Sequence, residues 1–380
     1  MKYQVFVRIC SISAIIVIMA TELCGCGGAG SSPPTLPLSP PPISLAGTVD
    51  GIVHTQMQQF GIPGMVVALA KGDTSLYVQG YGVTNLETGS VTQTDTVYEI
   101  GSITKQFTAA LIMKLKEQGK LAIDDPISKY LSQYNFPSAV TIRMCLTHTS
   151  GLANYTDFPQ LGDWVRNGVS EATVLTAISQ APLLFQPGTQ YSYSNSNFFI
   201  LGSIIEALTG QSYETNLEQS IFQPLSLQNT YYPLPPAGQS AIGYTNNGAG
   251  LVPATVWDRS AAFSAGALSS NVYDLITWDR ALTSGKVVSP QSFQEMTTSN
   301  GFVDSGGNSY GFGLVLYKFN NRPIEWHTGQ IGGFYAENVV FLDDGFTVVV
   351  LTNDQDIDTD PFVLKIMNAV CNSVQLSGTC

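Results

Sequence analysis

The chain predicts an α+β fold of the α/β-sandwich kind: an antiparallel sheet flanked by helices, with a helical subdomain inserted. Three observations carry that expectation. Strand-like runs gather toward both ends, at 65–81 and 310–351. The stretch between, about 121–270, reads instead as helical segments joined by Pro-, Gly- and Asn-rich connections. A last helical run completes the order strands, helices, strands, helix.

Residues 1–25 read as an export leader. Lys2 and Arg8 supply its positive start, and the apolar run Ile9–Ala20 is short for a membrane span. Leu23-Cys24-Gly25-Cys26 resembles a bacterial lipobox, which makes Cys26 the expected lipid-modified residue. Residues 26–45 are rich in Gly, Ser and Pro and read as a linker to one domain over 46–375. From about Thr48, Val49, Ile52, Val53, Met57 and Phe60 share one helical face, and Gly61-Ile62-Pro63-Gly64 ends that helix. Met65–Ala70 and Leu76–Tyr81 predict a hairpin around Lys71-Gly72-Asp73.

The middle predicts helical segments at Ile127–Tyr130, Ile142–Leu146, Glu171–Ser179, Asn197–Leu208 and Tyr213–Ile221. A helix over 271–283 follows, then strands at Tyr310–Tyr317, Glu325–Thr328, Tyr335–Phe341 and Thr347–Leu351, and a helix over Pro361–Val374.

Hydrophobic residues make up 44% of the chain, charged residues 12%, and the net charge is −12. That balance excludes a phosphate-binding, nucleic-acid-recognising surface, which needs clustered Lys and Arg. Three histidines without paired spacing offer no zinc site, and no cofactor motif is present. Asp343, Asp344, Asp354, Asp356 and Asp358 read as solvated loops, and Cys145 as a buried thiol. In an oxidising compartment, Cys371 and Cys380 are spaced to close a small loop.

Three short motifs carry chemistry. Ser102-Ile103-Thr104-Lys105 stands where Phe107, Leu111, Ile112 and Leu115 begin a helical pattern. Ser102 then sits at the positive end of a helix dipole, with Lys105 on the same face. A serine attacks a carbonyl only once its proton is taken, and a lysine held neutral can take it. Tyr193-Ser194-Asn195 adds a phenol to move a proton and an amide to steer the lysine. His327-Thr328-Gly329, followed by Gln330, supplies a strand edge where glycine allows close approach. His148, in Leu146-Thr147-His148-Thr149-Ser150-Gly151, is expected to fix a turn at the edge of the site and carry no chemistry.

Together these motifs resemble the active site of the penicillin-recognising serine hydrolases: serine β-lactamases, D-alanyl-D-alanine carboxypeptidases and related esterases. The likeness covers roughly 46–370, with Gln186-Pro187-Gly188 and Ser264-Ala265-Gly266 as further agreeing stretches. It implies a β-lactamase/transpeptidase-like fold with Ser102 as nucleophile and Lys105 and Tyr193 handling protons. Asn195, His327, Thr328, Gly329 and Gln330 would bind substrate, the N–H groups of Ser102 and Gln330 forming the oxyanion hole. His327 stands where many relatives carry Lys, and would lend a polar or cationic group to the substrate's anionic end. That departure points to carboxypeptidase-like or esterase activity more than to β-lactamase activity. A penicillin-binding sensor that stays acylated or turns over slowly, a true β-lactamase, and an inactive envelope protein are the alternatives. We expect a monomer in the bacterial envelope, periplasmic or extracellular, held by a lipid and acting on a small molecule or cell-wall peptide.

Overall fold

The computed structural model describes residues 44–232, 234–236, 238–357 and 360–373. The expected leader, Cys26 and Cys380 lie outside the described residues; Cys371 is disulfide-bonded.

Helix α1 (Leu45–Phe60) starts inside the expected linker because the Ser44 side chain caps it, accepting from the Gly47 N–H. Gly61, in the left-handed conformation, ends it. Strands β1 (Gly64–Lys71), β2 (Thr74–Asn85) and β3 (Ser90–Val91) follow, then β4 (Tyr98–Glu99). A 3-10 turn over Gly101–Ile103 leads into α2 (Thr104–Glu117). Helices α3 (Ile142–Leu146), α4 (Leu161–Asn167), α5 (Glu171–Gln180), α6 (Asn195–Thr209), α7 (Tyr213–Leu217) and α8 (Gln223–Leu225) form most of the middle. The hairpin β5 (Tyr244–Asn246) and β6 (Leu251–Pro253) precedes α9 (Arg259–Gly266), β7 (Ser269–Ser270), α10 (Val272–Thr283) and α11 (Pro290–Met296). The chain returns through β8 (Ser309–Tyr310), β9 (Val315–Phe319), β10 (Arg322–Ile331), β11 (Phe334–Phe341) and β12 (Phe346–Thr352) to α12 (Asp360–Ser373).

One eight-stranded sheet runs β3-β2-β1-β12-β11-β10-β9-β8, with antiparallel pairing throughout. Its seam joins the two ends of the chain, Met65 opposite Thr352 through Lys71 opposite Phe346. Both faces are covered, so β1 and β12 are apolar almost without alternation. Val67, Leu69, Val348 and Val350 pack with Val49 of α1 and Phe362 and Ile366 of α12. Val66, Ala68, Val349 and Leu351 face the other way, in one cluster with Phe107 and Leu111 of α2 and the core of the helical middle. Helix α2 is buried almost all round, its polar Thr104, Lys105, Gln106 and Thr108 included.

Two expectations need correction. The single strand over Tyr310–Tyr317 is two, because Gly311 and Gly313 turn the chain between β8 and β9, Gly313 at φ 74°. Asp344 is not solvated: its side chain is buried in an ion pair with Arg322 at 2.6 Å. Asp354 is buried as well.

The helical side of the sheet also hides two carboxyls, Glu325 of β10 and Asp279 of α10, where Asp279 accepts from Asn338 Nδ2 at 2.7 Å. Burial pushes Asp279 up to about 8, and burial with Asp279 nearby pushes Glu325 well above the carboxylate range. The folded protein therefore keeps a proton that the unfolded chain releases near pH 3.9. The stability this group contributes is full at acid pH and lost as pH rises toward 8. Urea unfolding between pH 5.5 and 9 should show stability falling with pH, and Asp279→Asn should flatten that fall; an equally steep fall in the variant would contradict the assignment.

Candidate active site

Pairing of β4 with β7 brings Tyr98 opposite Ser270 and delivers the chain to Gly101, whose φ of 48° starts the 3-10 turn. Ser102 lies in that turn and Lys105 one turn on, in α2. The Lys105 Nζ is 2.9 Å from Ser102 Oγ, 2.8 Å from Asn195 Oδ1 and 2.6 Å from the Ala265 carbonyl. The lysine is fully buried, and burial drives its pKa well below the ordinary value. A neutral amine has two hydrogens and one lone pair. Asn195 Oδ1 and the Ala265 carbonyl only accept, so they take both hydrogens and leave the lone pair for the Ser102 hydroxyl proton.

Each holder of that amine is fixed locally. Asn195 opens α6; its N–H donates to Asn154 Oδ1 at 3.0 Å and its amide to Thr156 Oγ1 at 3.3 Å. Helix α9 kinks at Phe263, at φ 42° and ψ −136°. Past the kink, the Ser264 and Ala265 carbonyls accept from α2 side chains, Thr108 Oγ1 at 2.7 Å and Lys105. Before it, a buried pair joins Arg259 to Glu99 of β4 at 2.7 Å.

Tyr193 packs its ring 5.0 Å from Lys105 Nζ, with Ser102 among the groups that bear on its phenol. Burial raises its pKa far above that of an exposed phenol, so it carries its proton at neutral pH. His148 departs from expectation: it is fully buried against Tyr193, ring centroids 4.3 Å apart, rather than at the edge of the site.

His327 is buried beside Tyr193 at 6.2 Å between ring centroids. Its Nδ1 lies 2.5 Å from the Thr328 carbonyl, so that nitrogen carries the hydrogen. Its Nε2 then accepts from the Tyr310 hydroxyl at 2.9 Å. Burial, with Lys105 nearby, lowers the imidazole to about 3. Of the polar or cationic role expected of His327, burial and its two engaged nitrogens favour the polar, neutral form. Tyr310 and Ala265 were not legible as site residues; the only signal was Ala265's place in Ser264-Ala265-Gly266.

Strand β10 presses on the 3-10 turn. A Cβ on Gly329 would run into the Ile100 carbonyl and come 3.1 Å from the Ser102 nitrogen; one on Gly101 would come 2.7 Å from the Gln330 nitrogen. The backbone nitrogens of Ser102 and Gln330 thus belong to two closely packed segments, the neighbourhood that the expected oxyanion hole needs. The ladder of β10 with β9 ends at Trp326 and Val315, which leaves 327–331 an unpaired edge on that side. Thr328 is half-buried, and Gln330 points its amide to the Gln355 carbonyl at 2.5 Å. Gly329→Ala should lower kcat by about 10²–10³, the cost of a displaced oxyanion donor, with the circular dichroism spectrum unchanged. Wild-type turnover in that variant would separate Gly329 from the chemistry.

The family model described as "Beta-lactamase" matches residues 49–365. The chain is 28% identical over 327 residues to "Unguisins hydrolase ungD'" of Aspergillus campestris, across 80% of this chain and 60% of that protein. It is similar to the octameric penicillin-binding protein homologue from Pyrococcus abyssi, with TM-score 0.75 and 28% identity over 85% of this chain and 76% of that one. A D-stereospecific amidohydrolase from Streptomyces sp. superposes with TM-score 0.73 and 26% identity, over 85% of this chain and 97% of that one. With the Ser102–Lys105 pair at the start of α2 and the antiparallel sheet beside it, these matches make the chain a member of the β-lactamase family, a hydrolase superfamily.

Proposed function

We propose that this protein is an exported serine hydrolase that cleaves an ester or amide through an acyl-enzyme. The observation that supports this most is the buried Lys105 Nζ, within hydrogen-bond distance of Ser102 Oγ, Asn195 Oδ1 and the Ala265 carbonyl at once. Lys105 takes the hydroxyl proton as Oγ bonds to the carbonyl carbon. The oxyanion that forms is held by the Ser102 and Gln330 N–H groups. Tyr193 gives its phenolic proton to the leaving group and is reprotonated from the Lys105 ammonium. Water then attacks the acyl carbon, its proton passing to the same amine; the acyl C–Oγ bond breaks as that ammonium returns the proton to Oγ, which frees the acid, Ser102 and the neutral amine.

The neutral, doubly engaged His327 favours substrates without a carboxylate beside the scissile bond: uncharged esters, and amides such as D-amino-acid amides. The D-stereospecific amidohydrolase among the similar structures agrees with that class. β-Lactams and peptides ending in a free D-alanine, which offer a carboxylate, fit less well. The leader and Cys26 would place the enzyme at a bacterial envelope, anchored by lipid. The penicillin-binding homologue keeps a second reading open, a protein that acylates and stays acylated.

A purified domain from residue 44 should turn over neutral p-nitrophenyl esters or D-amino-acid amides and label with a fluorophosphonate. Ser102→Ala should abolish both. Turnover surviving in Ser102→Ala would refute the nucleophile; labelled penicillin held for hours without product would favour the sensor.

A further inference from the structure

We propose that His148 is a positioning residue for this chemistry, holding the Tyr193 phenol at Ser102. The proposal rests on the reading above, in which Tyr193 moves the proton.

His148 grips the chain on both sides of Tyr193. Its carbonyl accepts from the Ser192 N–H at 2.9 Å, and its Nδ1 from the Ser194 N–H at 3.2 Å. The Asn197 amide reaches the same nitrogen at 3.1 Å. Between those bonds, the imidazole packs against the Tyr193 ring and, 4.7 Å away on centroids, against Tyr310. One residue thus fixes Tyr193 through two backbone bonds and a ring face.

The bond from Ser194 also fixes the tautomer. A backbone N–H only donates, so Nδ1 is bare and the hydrogen sits on Nε2. That Nε2 is buried with no hydrogen-bond partner among the described residues. The backbone of His148 lies at φ 55°, a conformation bulky side chains avoid. Two costs therefore fall on one residue, an unpaired buried donor and a strained backbone. Packing alone does not explain them. Phenylalanine would fill the same space without the orphan N–H, but would leave the Ser194 N–H unpaired. Asparagine would suit the backbone and accept that bond, but would leave the Tyr193 ring unsupported. Histidine supplies both the acceptor and the ring.

The test is a double-mutant cycle, with kcat expressed per serine titrated by fluorophosphonate so that misfolded enzyme is not counted. His148→Gly, which suits the left-handed backbone, should lower kcat per titrated site about a hundredfold with KM changed less than threefold. His148→Asn, which keeps the acceptor, should lower it about tenfold, and serves alone if the glycine variant does not fold. In a Tyr193→Phe background neither should lower kcat further. Unchanged kcat per site, or losses that multiply with that of Tyr193→Phe, would overturn the proposal. A wild-type enzyme that neither labels nor turns over would instead sink the underlying reading.

Discussion

A primary amine with no water around it must find partners in the protein, and the site follows from where this chain supplies them. Lys105 is held by groups from three separate elements: Ser102 on its own turn, Asn195 at the start of α6, and the Ala265 carbonyl past the kink of α9. Each is needed for a different reason. Burial without charge compensation makes the ammonium costly. Two acceptors that cannot donate fix which way the remaining lone pair faces. The α9 kink, with φ 42° at Phe263, is backbone strain retained where a carbonyl must be presented.

The same absence of free charge runs through the neighbouring side chains. Tyr310, His148 and His327 are buried, Tyr193 is half-buried, and burial shifts all four toward their neutral forms. Oxyanion donors that are backbone N–H groups are fixed before substrate arrives and need no reorganisation as charge develops. Close contact of β10 with the 3-10 turn, which Gly101 and Gly329 permit, sets the spacing of those donors. The Arg259–Glu99 pair secures α9 against β4 beside it. The sheet contributes rigidity, and the helical middle brings Asn195 and Tyr193 to the nucleophile.

What was legible in the sequence was what is local. Ser102 and Lys105 share a turn, so helical periodicity alone placed them together. The antiparallel sheet from both chain ends followed from runs of Val, Leu and Phe at 65–70 and 346–351, and the structure joins them at one seam. Contacts set by tertiary placement were not legible. Nothing near Tyr310 announces that its hydroxyl reaches Nε2 of His327, yet that bond occupies the ring nitrogen the motif alone left free. The Ala265 carbonyl is a backbone atom, whose use depends on a kink no side chain signals. His148 read as a turn residue because its partners lie 46 and 49 positions on.

The central claim is that the Lys105 amine is neutral at working pH, with its lone pair on Ser102. Nitrogen-15 NMR of enzyme labelled at lysine Nζ, with the Lys105 signal assigned by its loss in Lys105→Arg, tests this directly. The account predicts that Lys105 titrates well below the other lysines, which should lie near the ordinary value of about 10.4. A Lys105 signal that titrates together with the surface lysines would contradict it.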